Sequence, residues 1–149
     1  NHQTGRTTSL ATRGHIAHLG ATGYELDITT LGDQDLQIIA DQVDEYKKIE
    51  RLILCGDVYR LKNQATDGIF AEEIVAKDKG TAIVTAMRST FSLNRENVVL
   101  RLLGLEENAL YKIEELNIQK TGSYLMTRGI MVKFEDIDFA SVTYNIVRI

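Results

Sequence analysis

The sequence has one cysteine, Cys55, in 149 residues, so no internal disulfide can form. A lone thiol fits a reducing compartment. The chain also lacks any apolar run near the ~20 residues that a membrane span needs, so no membrane partner is expected. Clustered cations are missing too. The net charge is -4 and the 17 Lys and Arg are scattered, without the basic stripe that marks nucleic-acid binding. No nucleic-acid partner is expected either. No leader-like segment is visible and no Asn-X-Ser/Thr sequon occurs, which favours a cytoplasmic, bacterial setting. What is present is ordinary for a folded soluble domain: 44% hydrophobic and 26% charged residues, a balance that excludes global disorder.

The first third reads as helical. "TSLATRGHIAHL" (Thr8 to Leu19) places Leu10, Ile16 and Leu19 among small residues. Ser9 or Thr8 is available as N-cap, and Gly20 stands where a helix end prefers glycine. Gly14 inside it costs about 1 kcal/mol relative to Ala. "YELDITT" (Tyr24 to Thr30) is short, β-prone and bounded by Gly23 and Gly32, and we expect a strand there. The strongest helix follows, from Asp33 to about Ile53. Leu36, Ile39, Ala40, Val43 and Tyr46 share one face by steps of three and four. Asp33 is the expected N-cap, and Gly56 closes the helix.

After Gly56 the apolar period changes from helical to two. Val58–Leu61, Ile69–Ala76, Thr81–Arg88, Val98–Leu103, Leu110–Leu116 and Phe139–Ile149 all read as strands. In the last of them Ala140, Val142, Tyr144 and Ile146 fall on one face, with Ser141, Thr143 and Asn145 on the other. "KDKG" (Lys77 to Gly80) and "GLEEN" (Gly104 to Asn108) are turns, Gly80 supplying a positive φ in the first. Strands at this rhythm indicate an antiparallel sandwich or barrel. We place the boundary near Cys55 and Gly56, giving residues 1–55 and 56–149. The front unit cannot stand alone, because a single strand makes no sheet. It reads as the tail of an α/β domain joined to a β-sandwich.

Several residue groups could carry chemistry. Glu25 and Asp27 sit two apart on the expected strand, so both can point the same way. Paired carboxylates serve glycoside hydrolysis when about 5–5.5 Å apart for retention or about 6.5–9.5 Å for inversion. The plainer reading is a strand-end pair that caps the next turn. His15 and His18 have a metal-capable helical spacing, but no third ligand and no His-Glu-x-x-His pattern accompany them; helix surface or an interdomain contact is the expectation. His2 lies in a polar opening loop with no orienting carboxylate in view. Cys55 reads as a small buried apolar residue. "GATG" (Gly20 to Gly23) lacks the features of a phosphate loop. The acidic doublets Glu72–Glu73, Glu106–Glu107 and Glu114–Glu115 read as solvated edges and turns, and Tyr59 and Tyr124 as packing residues.

Three motifs occur in a telling order: "NHQTGR" (Asn1 to Arg6), "TRG" (Thr12 to Gly14) and "GYELDI" (Gly23 to Ile28). With "GDVYRL" (Gly56 to Leu61), they resemble the end of the catalytic barrel of bacterial α-galactosidases of glycoside hydrolase family 36. The likeness is close over Asn1 to Leu61. Beyond it, "LRLLGLEENALYKI" (Leu100 to Ile113) echoes the family, whereas "KNQATDGIF" (Lys62 to Phe70) departs from a segment that often bears Pro and Trp. The resemblance implies a mostly β chain: an antiparallel β-sandwich preceded by the last helix-strand-helix segment of a (β/α)8 barrel. It implies retaining hydrolysis of terminal α-galactosides such as melibiose and raffinose, without metal or organic cofactor, in a homo-oligomer. The family's two catalytic Asp lie upstream of the opening loop and match no position here, so no catalytic residue is expected in this chain and Glu25 and Asp27 are not that pair. Because loops after barrel strands form the active-site face, Asn1, His2, Gln3, Glu25 and Asp27 become candidates for the substrate-side rim. A different class of function also fits the residues: a non-catalytic carbohydrate-binding or assembly sandwich.

Overall fold

The computed structural model describes residues 5–90 and 98–149. Helix α1 (Leu10–Ala17) starts at Ser9, whose Oγ accepts the Thr12 N–H at 3.1 Å. A single 3-10 turn (Ile28–Thr30) leads into α2 (Asp33–Cys55). The N-cap of α2 is Gly32 rather than Asp33, which lies inside the first turn with Asp35. There the two carboxylates face the positive end of the helix dipole, a role that does not need the cap position.

Eight strands follow or flank two short helices: β1 (Asp57–Lys62), α3 (Gln64–Asp67), β2 (Ile69–Val75), β3 (Thr81–Arg88), β4 (Val98–Leu100), β5 (Leu110–Ile113), β6 (Ile118–Thr121), α4 (Gly122–Thr127), β7 (Ile130–Val132) and β8 (Ala140–Arg148). Six of them form one sheet in the order β1-β2-β3-β8-β5-β6, and β4 pairs with β7 in a second, two-stranded sheet. Every pairing is antiparallel.

The large sheet is covered on both faces. On one side Val75, Val84, Tyr144 and Ile146 pack with Leu100, Leu102, Leu125, Ile130 and Val132 in the sandwich core. On the other, Ile74 and Ile83 meet Ile53 of α2, with Leu19, Ile49 and Leu52 around them. Burial on both faces explains why β3 is a nearly continuous apolar run instead of an alternating one. β8 does alternate. Ala140, Tyr144 and Ile146 are buried, and its polar face turns toward α1.

Some sequence expectations are corrected. Tyr24–Thr30 forms no strand: a bend at Leu26 and the 3-10 turn occupy it, with no ladder pairing. β-prone residues form strands only where a neighbouring strand receives their hydrogen bonds. Leu110–Leu116 is not one strand. It breaks at Glu114 into a hairpin turn whose Asn117 has φ +50 and donates its N–H to Glu114 O at 3.0 Å, and the chain returns as β6. The Val98–Leu103 run ends at Leu100. In the Lys77–Gly80 turn the positive φ belongs to Lys79, at 56°, and not to Gly80. Cys55 is exposed rather than buried. Glu73 is fully buried rather than solvated.

Candidate functional site

The segment that carries Glu25 and Asp27 is anchored by Tyr24. Its hydroxyl donates to Gln42 Oε1 at 2.5 Å, and Gln42 Nε2 donates to Leu10 O at 2.9 Å. One buried amide on α2 therefore ties α1, α2 and the Tyr24 segment together. Glu25 is exposed and lines a cavity of about 220 Å³ with Leu10, Arg13, Thr22 and Tyr24. Asp27 does not line it.

Asp27 is committed elsewhere. Its Oδ1 accepts the Thr29 hydroxyl at 2.6 Å and the Thr29 N–H at 3.0 Å, capping the 3-10 turn. The Thr29 hydroxyl first, and then its N–H, hold the carboxyl below its ordinary range. Such a group is an ionised cap and not a proton donor. Without a strand, the alternation that would aim Glu25 and Asp27 the same way is not imposed. Asn1, His2 and Gln3 lie outside the described residues.

A second polar locus joins α1 to the sandwich. His15 Nδ1 is 2.8 Å from Ser141 Oγ; Ser141 Oγ donates to Thr12 Oγ1 at 3.0 Å; Thr12 Oγ1 donates to Phe139 O at 2.8 Å. With Ser141 donating onward, this relay uses His15 as the Nδ1–H tautomer. Burial lowers the pKa of His15, opposed by Glu45 and assisted by His18. His18 is buried against Tyr46, and burial lowers its pKa as well. His15 thus joins α1 to β8, whereas His18 packs within the helical part, against Tyr46 of α2. Among the described residues no group of three His, Cys, Asp or Glu is placed to hold an ion. Phe139 adopts φ +56, an outlier for a bulky residue, and Arg6 lies over its ring at 4.9 Å. The polar face of β8 receives Thr12 and His15 of α1 through Ser141.

A second cavity, of about 580 Å³, opens where α2 meets the β2–β3 turn. Lys48, Arg51, Cys55, Lys77 and Asp78 line it, and Lys77 is bonded to Asp57. Among the described residues no helix is long and apolar enough to cross a membrane.

Sequence reasoning missed Gln42, Tyr24 as its partner, Ser141, and Glu73. The available signal for Gln42 was a polar residue on the inner side of an amphipathic helix. Ser141 had none, since a serine on an outward-facing strand position is ordinary.

Comparison with known proteins gives a consistent answer across both halves. The family model for Melibiase matches residues 1–56, and that for the glycosyl hydrolase family 36 C-terminal domain matches residues 69–146. Alpha-galactosidase AgaA of Geobacillus stearothermophilus is 38% identical over 146 residues, 98% of this chain and 20% of the relative. The bifunctional alpha-galactosidase/sucrose kinase AgaSK of Mediterraneibacter gnavus is 42% identical over 130 residues, 87% of this chain and 14% of the relative. A crystal structure of an AgaA variant in complex with 1-deoxygalactonojirimycin superposes on the whole chain with a TM-score of 0.96 at 37% identity, covering 21% of that protein. The galactosidase domain of AgaSK does so with a TM-score of 0.95 at 36% identity, again over 21% of that chain. This chain spans about a fifth of the length of AgaA. Matched in both halves and alike in fold from end to end, the chain belongs to glycoside hydrolase family 36.

Proposed function

We propose that this chain is the C-terminal part of an α-galactosidase that hydrolyses terminal α-galactosides of the melibiose and raffinose type with retention. The carrying observation is the full-length superposition on family 36 α-galactosidases, including AgaA variants crystallised with raffinose and with stachyose. In retaining hydrolysis one carboxylate attacks the anomeric carbon while a second carboxyl protonates the leaving oxygen. Asp27 is tied up as an ionised cap, and Glu25 is an exposed side chain on the wall of an open cavity. Neither is suited to be the general acid, which supports the expectation from the family resemblance that the catalytic Asp pair lies upstream of the opening loop.

Residues 1–55 then supply the last unit of the barrel and 56–149 the sandwich, a division supported by the end of α2 at Cys55 and by the two family matches on either side. Asn1, His2, Gln3, Glu25 and Asp27 belong to the rim, where they position substrate or other residues. A cytoplasmic homo-oligomer fits this reading. Exposed apolar residues on α2, Leu36, Ile38 and Leu54, support the presence of further protein against that helix.

The test is turnover of melibiose and of a nitrophenyl α-galactoside. The isolated chain should show none, and the natural full-length protein that carries it should cleave both with retention. Turnover by the isolated chain, or none by the full-length protein, would refute the assignment.

A further inference from the structure

β2 turns Ala71 and Val75 into the sandwich core, and strand alternation puts Glu73 on the same face. Its side chain is fully buried. Oε2 accepts the Leu103 N–H at 2.7 Å, and Oε1 is buried with no hydrogen-bond partner. Leu103 belongs to the segment that leaves β4 and runs to the Gly104 turn. That segment is held at three points. Leu102 N–H donates to Leu125 O at 3.1 Å, Leu103 N–H donates to Glu73, and the Tyr59 ring lies so close over Gly104 that an added Cβ would be 2.6 Å from it.

Among the described residues no cation is bonded to Glu73. Its register partners are Tyr59 on β1 and Val84 on β3, with Tyr144 of β8 opposite Val84. The ionisable groups on this face are Tyr59, Tyr111, Tyr144 and, further along β3, Arg88, which donates to Glu135 O and lies over the Phe134 ring; burial raises the pKa of Tyr144 further. Arg101, on the segment itself, is exposed. Two influences act on the Glu73 carboxyl: burial raises its pKa and the Leu103 N–H lowers it, leaving it pushed up to about 8. A buried carboxylate with one amide donor and no cation is costly, whereas a neutral carboxyl accepts the same bond without that cost.

We propose that Glu73 is a proton-carrying latch: its neutral carboxyl pins residues 102–105 to the sheet, and transfer of that proton to solvent base releases them. The latch is independent of the barrel and its chemistry. It sets an alkaline limit on the order of this part of the sandwich.

The experiment is amide hydrogen exchange on the natural full-length protein, across about two pH units either side of the Glu73 titration, corrected for the intrinsic pH dependence of exchange. In the wild type, protection of the peptide containing Leu103 should fall by up to about tenfold per pH unit as pH rises toward the Glu73 titration and level off above it, while β3 stays protected. In Glu73→Gln, whose amide oxygen accepts the same N–H and never ionises, protection should stay level. A level wild type, an equal fall in Glu73→Gln, or an equal fall in β3 would overturn the latch. Should Glu73→Gln fail to fold, infrared spectra of wild type with isotope-labelled Glu decide alone. A protonated carboxyl band should be present at neutral pH and vanish above the titration, and its absence at neutral pH would overturn the proposal.

Discussion

Gln42 of α2 lies directly over Gly14 of α1: a Cβ added at Gly14 would stand 2.2 Å from Gln42 Nε2. The glycine that weakens α1 as an isolated helix is the one that lets α2 approach it. The amide that fills the space then reaches both Leu10 O and the Tyr24 hydroxyl.

Gly14→Ala in the natural full-length protein should therefore destabilise it by about 1–3 kcal/mol, as overpacking does, despite the better helix propensity of Ala. Thermal unfolding measures this. Combining it with Gln42→Ala should recover part of the loss, giving a coupling energy between the two sites. Strict additivity would show that the contact does not govern the effect.

Gly104 makes the same point in the sandwich. With φ +69 and the Tyr59 ring against it, Gly104→Ala adds both backbone strain and a clash. The loss should exceed about 1 kcal/mol, and Tyr59→Ala in the same chain should remove only the steric part. A neutral Gly104→Ala in denaturant unfolding would contradict this.

The α1–β8 junction should be acid-sensitive. Burial depresses the pKa of His15 and of His18 below 6.5, so the unfolded chain takes up protons first. The stability from their neutral forms is fully present above about pH 6.5 and is lost as pH falls through the folded values. His15→Gln should flatten this acid slope, while Ser141→Ala should lower stability at every pH. An unchanged slope in His15→Gln, read from melting temperature against pH, would count against the relay.

Glu73 gives the opposite slope. Its folded pKa is raised from 4.5 to about 8, so its contribution is complete below the unfolded value and declines as pH rises through the folded one. Glu73→Gln should gain stability relative to wild type as pH rises from 4.5 to about 8, and no further above that. Parallel stability curves for the two proteins would exclude it.

For activity, Asp27→Asn in the full-length enzyme should cost less than the ~10²–10⁴-fold that removal of a general acid costs. Steady-state turnover of a nitrophenyl α-galactoside checks this. A larger fall in kcat would return Asp27 to the chemistry.

Local pattern was enough for the two helices, for β1, β2, β3 and β8, and for the change of period after Gly56, because capping groups and apolar spacing act within a few residues. Motif order from Asn1 to Leu61 was enough for the family. Tertiary structure decided the rest. A β-prone segment without a strand beside it, Tyr24–Thr30, became a bend and a 3-10 turn. The single run Leu110–Leu116 became a hairpin because Asn117 accepts a left-handed conformation. A glutamate in an acidic doublet, Glu73, went into the core because a backbone N–H thirty residues on met it there. Ser141 and Gln42 became connecting residues only when distant elements arrived opposite them. Spacing along the chain records what each residue prefers locally, whereas a buried polar contact depends on which partner the fold brings within hydrogen-bond distance.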